Sequence, residues 1–327
     1  MKQNPKVSVC MITYGHEKYI REAIEGVLMQ ECDFEVELIL ANDCSPDKTD
    51  EVIEDILKNH PKASWIKYLK HDKNIGMMPN FLFALNHCKG DFIALCEGDD
   101  YWTDPLKLQK QINVLKVSPD CVLCFHKVDI LKTNGEIVDD FITKVPENYE
   151  TIETLARLGN YIHTPSVVFR NVIKEFPSDF EQSPIGDYFL YMMLAEHGKL
   201  KYLNDKMAVY REGIGIWSTK SDYFRNFNTA LLHTCLIDYF YLRGNNELVE
   251  MFLKRIQSFI DNFGEDLAVK DVMRLSHNEN NRKLIFNSLI EKTKKLKSEK
   301  VPVKTSIELL AIVLHRIKMR IWKKLHL

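Results

Sequence analysis

The chain has 327 residues, 45% of them hydrophobic and 28% charged, enough for one large domain with an appended piece or for two smaller domains. A formal net charge of −2 supplies no bulk positive field, so nucleic acid is not the expected partner and any basic surface must be local. The opening MKQNPKVSVCMITYG lacks the apolar core of a secretion signal, and no run reaches the roughly eighteen apolar residues needed to span a bilayer; the chain is expected on the cytoplasmic side.

VSVCMIT (7–13) is a short apolar run suited to a buried parallel strand, and residues 19–29 carry Ile20, Ala23, Ile24, Val27 and Leu28 on one helical stripe. VELILA (36–41) predicts a second strand, and 47–60 a helix with Ser45 as its N-cap ahead of Pro46. A strand at 64–70, a helix at 79–88, a strand at 91–96 and a helix at 105–117 follow. Strands alternating with helices predict an α/β fold with a doubly wound, mostly parallel sheet. Residues 121–210 are more mixed: a strand at 121–130, a short helix at 151–158, a strand at 163–170, a helix at 187–196, then separate strands at 201–203 and 207–210. After Ser221 the pattern is helical. The charged stretch 291–300 reads as a linker or exposed helix end. Beyond it Ile307, Leu310, Ala311, Leu314, Ile317, Ile321 and Leu325 share a stripe, with Arg316, Lys318, Arg320, Lys323 and Lys324 around it. The expected organisation is a main domain over 1–220, divided near 120, a helical extension over 221–300 and an amphipathic basic helix over 301–327.

The eight cysteines are scattered through apolar runs, which reads as buried thiols in a reducing compartment rather than a disulfide scaffold. Cys121 and Cys124 form a lone C-x-x-C that a strand would point to opposite faces, so no zinc site is expected.

In a doubly wound sheet, ligands bind beyond the carboxyl ends of the strands. Thr13 and Tyr14 follow the first strand, Asn42 and Asp43 the second, and Glu97, Asp99 and Asp100 the fourth, in LCEGDDYWTDP (95–105). Carboxylates so close raise one another's pKa unless a cation joins them, and oxygen ligands suit magnesium or manganese. A solvated acidic turn is the alternative. Asp43 is placed to accept from a nucleobase N–H or to cap its own turn, and Tyr14 to stack on a base or simply to pack.

Taken in order, VSVCMITYGHEKYIREAIEGVLMQ, ELILANDCSPDKTDEVI and NIGMMPNFLFALNHCKGDFIALCEGDDYWTDPLKLQKQ resemble the N-terminal half of the family-two glycosyltransferases, which have the nucleotide-sugar-binding GT-A fold. HTPSVVFR (163–170) and GDYFLYMMLAEHGKLKYLNDKMAVYREG (186–213) resemble the family's acceptor half. The resemblance implies a nucleoside pocket of Thr13, Tyr14 and Asp43. It places Asn74, Gly76 and Asn80 near the diphosphate and sugar. Its D-x-D metal motif falls on Glu97-Gly98-Asp99, with Asp99 the principal ligand of a divalent magnesium or manganese ion, Glu97 a helper in place of the usual Asp, and Asp100 in support. Asp187, at a helix start, matches the general base, a position that on its own reads equally as an N-cap. His163 matches an acceptor contact. In the closing loop, Arg211 is expected to approach the diphosphate and Trp217 to cover the sugar, while Gly213 stands where relatives often carry a metal-binding His.

The resemblance thus implies inverting transfer of a sugar from a nucleotide donor, a uridine diphosphate sugar first among them, to a glycan or lipid-linked glycan, as in cell-surface polysaccharide synthesis. Two alternatives differ in class. A sugar-phosphate nucleotidyltransferase would need a Gly-rich basic loop where TYGHEKY stands. A non-catalytic nucleotide-sugar or glycan-binding protein would have little use for the clustered carboxylates. The C-terminal basic helix suits peripheral contact with the inner face of an anionic membrane or packing on protein.

Overall fold

The computed structural model describes residues 6–215 and 217–256. The expected C-terminal helix over 301–327, and the part of the helical extension beyond 256, lie outside the described residues. The chain divides into two compact units, Met1–Glu181 with Gly186–Thr219, and Gln182–Ile185 with Lys220–Leu327.

The first unit begins with a regular alternation: β1 (Lys6–Thr13), α1 (Ile20–Leu28), β2 (Glu35–Asn42), α2 (Thr49–Asn59), β3 (Ile66–Lys70), α3 (Met77–His87) and β4 (Phe92–Leu95). These four strands are parallel, in the order β3-β2-β1-β4. Buried runs such as Val7–Met11 and Val36–Ala41 give both sheet faces something to bury, which a parallel sheet between helix layers requires. Ile20, Ala23, Ile24 and Val27 of α1 join the same core.

The helix start predicted at Ser45 is corrected by the structure. Helix α2 begins at Thr49, whose N–H and hydroxyl both donate to Asp47 Oδ1 (3.1 and 2.5 Å). Ser45 serves the loops instead: its hydroxyl donates to Asn42 Oδ1 (2.7 Å) and accepts the Gly15 N–H (3.0 Å), tying the end of β2 to the turn after β1.

The sheet then turns mixed. It continues through β5 (Tyr101–Trp102), α4 (Lys107–Val117), β6 (Cys121–Leu131), β7 (Ile137–Asp139), α5 (Ile152–Leu158), β8 (Val168–Arg170), α6 (Ser178–Gln182), α7 (Gly186–Ala195) and β9 (Lys199–Arg211). Antiparallel β8 bridges β4 to β6, and the order runs on through β9 to β5. The two strands expected at 201–203 and 207–210 are one, β9, because the backbone passes exposed Asn204–Lys206 by register shifts against β6 at His126–Asp129 without leaving the sheet.

The second unit carries two described helices: α8 (Asp222–Leu242), whose first turn is capped by the Ser221 hydroxyl accepting from Phe224 N–H (3.3 Å), and residues 246–256. Phe240 and Phe252 stack across them at 6.1 Å. Among the described residues, no helix is long and apolar enough to cross a membrane.

Candidate active site

The ends of β1, β2 and β4 are brought level by register. Thr13 pairs with Asn42 and Cys10 with Leu95, after which Asp43 N–H donates to the Thr13 carbonyl (3.0 Å) and Gly98 N–H to the Ile12 carbonyl (3.0 Å). Gly98 is required by this approach, since a Cβ there would fall 2.7 Å from Thr13 Oγ1 and 2.8 Å from His16 Nδ1. Thr13 is buried, and its hydroxyl lies 3.1 Å from the His16 ring. Tyr14 is 44% exposed, a ring standing open at the strand end. Asp43 is buried, and its two oxygens accept the N–H groups of Ile75 (2.7 Å) and Gly76 (2.9 Å). A carboxylate has about four acceptor sites, so each oxygen keeps capacity for a ligand. The same bonds fix the loop that carries exposed Asn74 and leads to Gly76.

Glu97, Asp99 and Asp100 bring one carboxylate oxygen each within 4.8 Å of one another. The electrostatic cost is visible in Glu97 and Asp100. Burial lifts the Glu97 carboxyl to about 8, with the charges of Asp99 and Asp187 adding to it. Burial, then Asp99, drives Asp100 well above the carboxylate range, against the opposing Arg211 N–H. Asp100 Oδ1 accepts that N–H (2.8 Å), while Oδ2 finds no hydrogen-bond partner among the described residues. An orphaned buried oxygen in a trio of hard ligands, at sites where negative charge is disfavoured, fits a divalent cation such as magnesium or manganese. Asp99, Glu97 and Asp100 are the residues that would hold it.

Asp187 stands at the second residue of α7. Its Oδ1 accepts the N–H of the next residue, Tyr188 (2.7 Å), and its Oδ2 accepts from Asn160 Nδ2 (2.9 Å) and, at 3.5 Å, from the Thr164 hydroxyl. Burial pushes its carboxyl upward, opposed by these donors. Because Glu97 feels both Asp99 and Asp187, the acidic trio and the helix-start carboxylate share one electrostatic neighbourhood. His163 lies in this half, its Nε2 3.1 Å from Asp140 Oδ2 and its ring 4.9 Å from Tyr210.

Two of the expected donor contacts, Asn80 and Arg211, have other partners here. Asn80 is buried and bridges α3 to β2, donating to the Ala41 carbonyl (3.1 Å) with its Oδ1 3.0 Å from His71 Nε2. Trp217 is 39% exposed in the loop after β9, and in that loop a Cβ on Gly215 would sit 3.0 Å from Asp99 Oδ2, so the loop backbone runs against the Asp99 carboxylate. Arg211 is 5% exposed, and its terminal nitrogens donate to the Asp99 carbonyl and to Glu22 Oε2. Trp102 is packing: its indole N–H donates to the Pro165 carbonyl (2.9 Å). His16, Asn160, Thr164, Asp140 and Glu22 were not singled out in the sequence, although His16 and Glu22 lie inside the first block quoted above and Thr164 inside HTPSVVFR; His16 joins the site through Thr13, three residues away, and the other four by contacts across the fold.

The sequence profile of glycosyl transferase family 2 matches residues 8–176, more than half of the chain. An uncharacterised protein of Mycobacterium tuberculosis is 36% identical over 212 residues, covering 64% of this chain and 60% of that relative, so the match spans about three fifths of the relative's length. Among solved structures, S. aureus TarS 1–349 in complex with UDP-GlcNAc aligns with a TM-score of 0.58 at 18% identity, over 96% of this chain and 87% of that one. The mannosyltransferase PcManGT of Pyrobaculum calidifontis, in complex with GDP-Man and Mn2+, aligns with a TM-score of 0.51 at 12% identity over the same shares. At these identities the two structures show the fold that is shared.

Proposed function

The chain belongs to glycosyl transferase family 2, and from that premise we propose that it moves a sugar from a nucleotide diphosphate sugar to a hydroxyl of a glycan or lipid-linked glycan, with inversion at the anomeric carbon. The observation that carries the reading is the convergence of Asp99, Glu97 and Asp100 with Asp187 in one electrostatic neighbourhood at the strand ends. Tyr14 offers the base a ring, and Thr13 and Asp43 supply polar atoms beside it. A bound magnesium or manganese ion would neutralise charge on the departing diphosphate. Asp187 takes the proton of the attacking hydroxyl. Its upward-shifted carboxyl suits that role, since a stronger base than an ordinary aspartate is poised nearer neutral pH. Asn160 and Thr164 hold its Oδ2 in place, and His163, fixed by Asp140, is assigned to the acceptor side.

TarS with UDP-GlcNAc supports a uridine diphosphate donor as the first to try, and the Mn2+ complex of the mannosyltransferase supports the ion. Cell-surface polysaccharide synthesis is the proposed setting. The free thiols support a reducing, cytoplasmic-face location. Peripheral membrane contact is assigned to residues 301–327; unchanged membrane partition after removal of 304–327 would sink that part.

A donor screen for metal-dependent turnover across nucleotide sugars tests the whole. Asp187→Asn should keep donor affinity and lose at least about 100-fold in kcat; full activity in that variant would end the base assignment. Nucleotide binding indifferent to EDTA and to Asp99→Ala would mark a non-catalytic binder instead.

A further inference from the structure

Arg211 brings a buried positive charge to the acidic turn, yet none of its observed bonds points to a substrate phosphate. Its backbone N–H donates to Asp100 Oδ1 (2.8 Å). One terminal guanidinium nitrogen donates to the Asp99 carbonyl and the other to Glu22 on α1. The guanidinium lies over two rings, 4.5 Å from the centroid of Tyr101 on β5 and 5.0 Å from that of Tyr19 at the head of α1. The residue is 5% exposed. Both terminal nitrogens and the backbone N–H are therefore engaged within the protein, and two rings pack against the guanidinium.

We propose that Arg211 is a positioning residue for the metal-binding turn, not a diphosphate ligand: it fixes the peptide between Asp99 and Asp100, and thereby which carboxylate oxygens face the ion. The inference rests on the metal reading above. Three details support it. The bond to the Asp99 carbonyl sets the orientation of the peptide that joins the two ligand residues. The bond from the Arg211 N–H occupies Asp100 Oδ1 and leaves Oδ2 as the oxygen without a partner, so the two oxygens of one carboxylate are sorted into an anchor and a ligand. Glu22 holds the far nitrogen, which keeps the guanidinium from swinging toward the site; because its side chain is 54% exposed, that anchor can be altered without opening the core. A planar fork with fixed donor directions can do this, and an ammonium cannot. Partners that orient metal ligands in this way commonly change affinity by ten- to a hundred-fold when removed.

The test uses the full chain and two probes, Mn2+ alone followed by electron paramagnetic resonance, and UDP in EDTA followed by calorimetry. Arg211→Lys keeps the charge and loses the fork; Glu22→Gln loosens the anchor from a surface position. The expected result is that Arg211→Lys weakens Mn2+ binding about ten-fold and Glu22→Gln weakens it several-fold, with thermal melting of Glu22→Gln near wild type and UDP binding in EDTA unchanged in both. Unaltered Mn2+ affinity in either variant overturns the assignment. Weaker UDP binding in EDTA for Arg211→Lys overturns it as well, making Arg211 a donor contact. Failure of the wild-type protein to bind Mn2+ would remove the metal reading itself and this inference with it, an outcome distinct from a defect confined to the variants.

Discussion

Lys107 is the first residue of α4 and is fully buried, with its ammonium 2.8 Å from Gln111 Oε1 and 4.0 Å above the Trp102 ring. Burial pulls its pKa from 10.5 to about 7, against the attraction of Cys96, Cys124 and Asp104. The sign of its effect on stability follows. Between about 7 and 10.5 the unfolded chain binds a proton that the folded chain does not, so stability rises with pH at up to about 1.4 kcal/mol per pH unit. Below that window both states are protonated and the cost of burying the charge is present in full; above it both are neutral and the cost is gone. Lys107→Met keeps the volume and removes the charge. It also gives up a hydrogen bond to Gln111 and a cation–π contact, worth about 1–2 kcal/mol together. The decisive quantity is therefore the slope and not the stability at one pH. Urea unfolding followed by circular dichroism at pH 6.5, 7.5, 8.5 and 9 should show the wild type gaining on the variant by about 1 kcal/mol per pH unit above neutrality. Other titrating groups are common to both proteins and cancel in the comparison. Parallel stability curves for the two would refute the reasoning.

Gly98→Ala should fold yet lose at least about ten-fold in Mn2+ or nucleotide affinity, because its Cβ would displace Thr13 Oγ1 or the His16 ring, 2.7 and 2.8 Å away; a calorimetric affinity equal to wild type would show that the strand ends tolerate the shift. Burial alone would lift the Glu37 carboxyl, but bonds from Lys67 (2.5 Å), Ser8 (2.6 Å) and Lys6 (3.1 Å) outweigh it and hold it at about 2. Its contribution is present above about 4.5, where an unfolded glutamate is ionised, and disappears as pH falls toward 2. Glu37→Gln should therefore cost on the order of 1–2 kcal/mol at pH 7, allowing for screening of the partly exposed lysines, and less than half as much at pH 3; an equal loss at both values in urea titrations would contradict this.

What could be read from the sequence was what lies within a few residues. The four parallel strands announced themselves as apolar runs, their helices as stripes, and the acidic turn as a local oddity whose position at a strand end gave it meaning. Elements whose signal is short or interrupted were not legible: β5 has two residues and β7 three, and β9 was split because Asn204–Lys206 are exposed while the backbone goes on pairing. A serine before a proline suits a cap, whereas the partners of Ser45 are Asn42 at the end of β2 and Gly15 in the turn after β1. The same holds for the site. Asp99 and Asp187 follow from motif and order, but the partners that fix them, Asn160 for Asp187 and Arg211 with Glu22 for the acidic turn, are joined over distances in the chain that no pattern spans. Lys107 and Gln111 stand one turn apart on the buried face of α4, although in DPLKLQKQ they look like ordinary surface residues.

Strand β5 pairs with β9 through Tyr101–Val209 and Trp102–Ala208, immediately after the acidic turn and immediately before Arg211. The family match ends at 176, well short of that pairing. A fragment cut at the boundary suggested by sequence similarity would hold every carboxylate of the acidic turn and none of β9, and would lose the zipper that stitches the turn to its far edge. Excision of this module for transplantation or crystallography therefore has its natural cut after Thr219, where the compact unit closes, rather than where the resemblance fades.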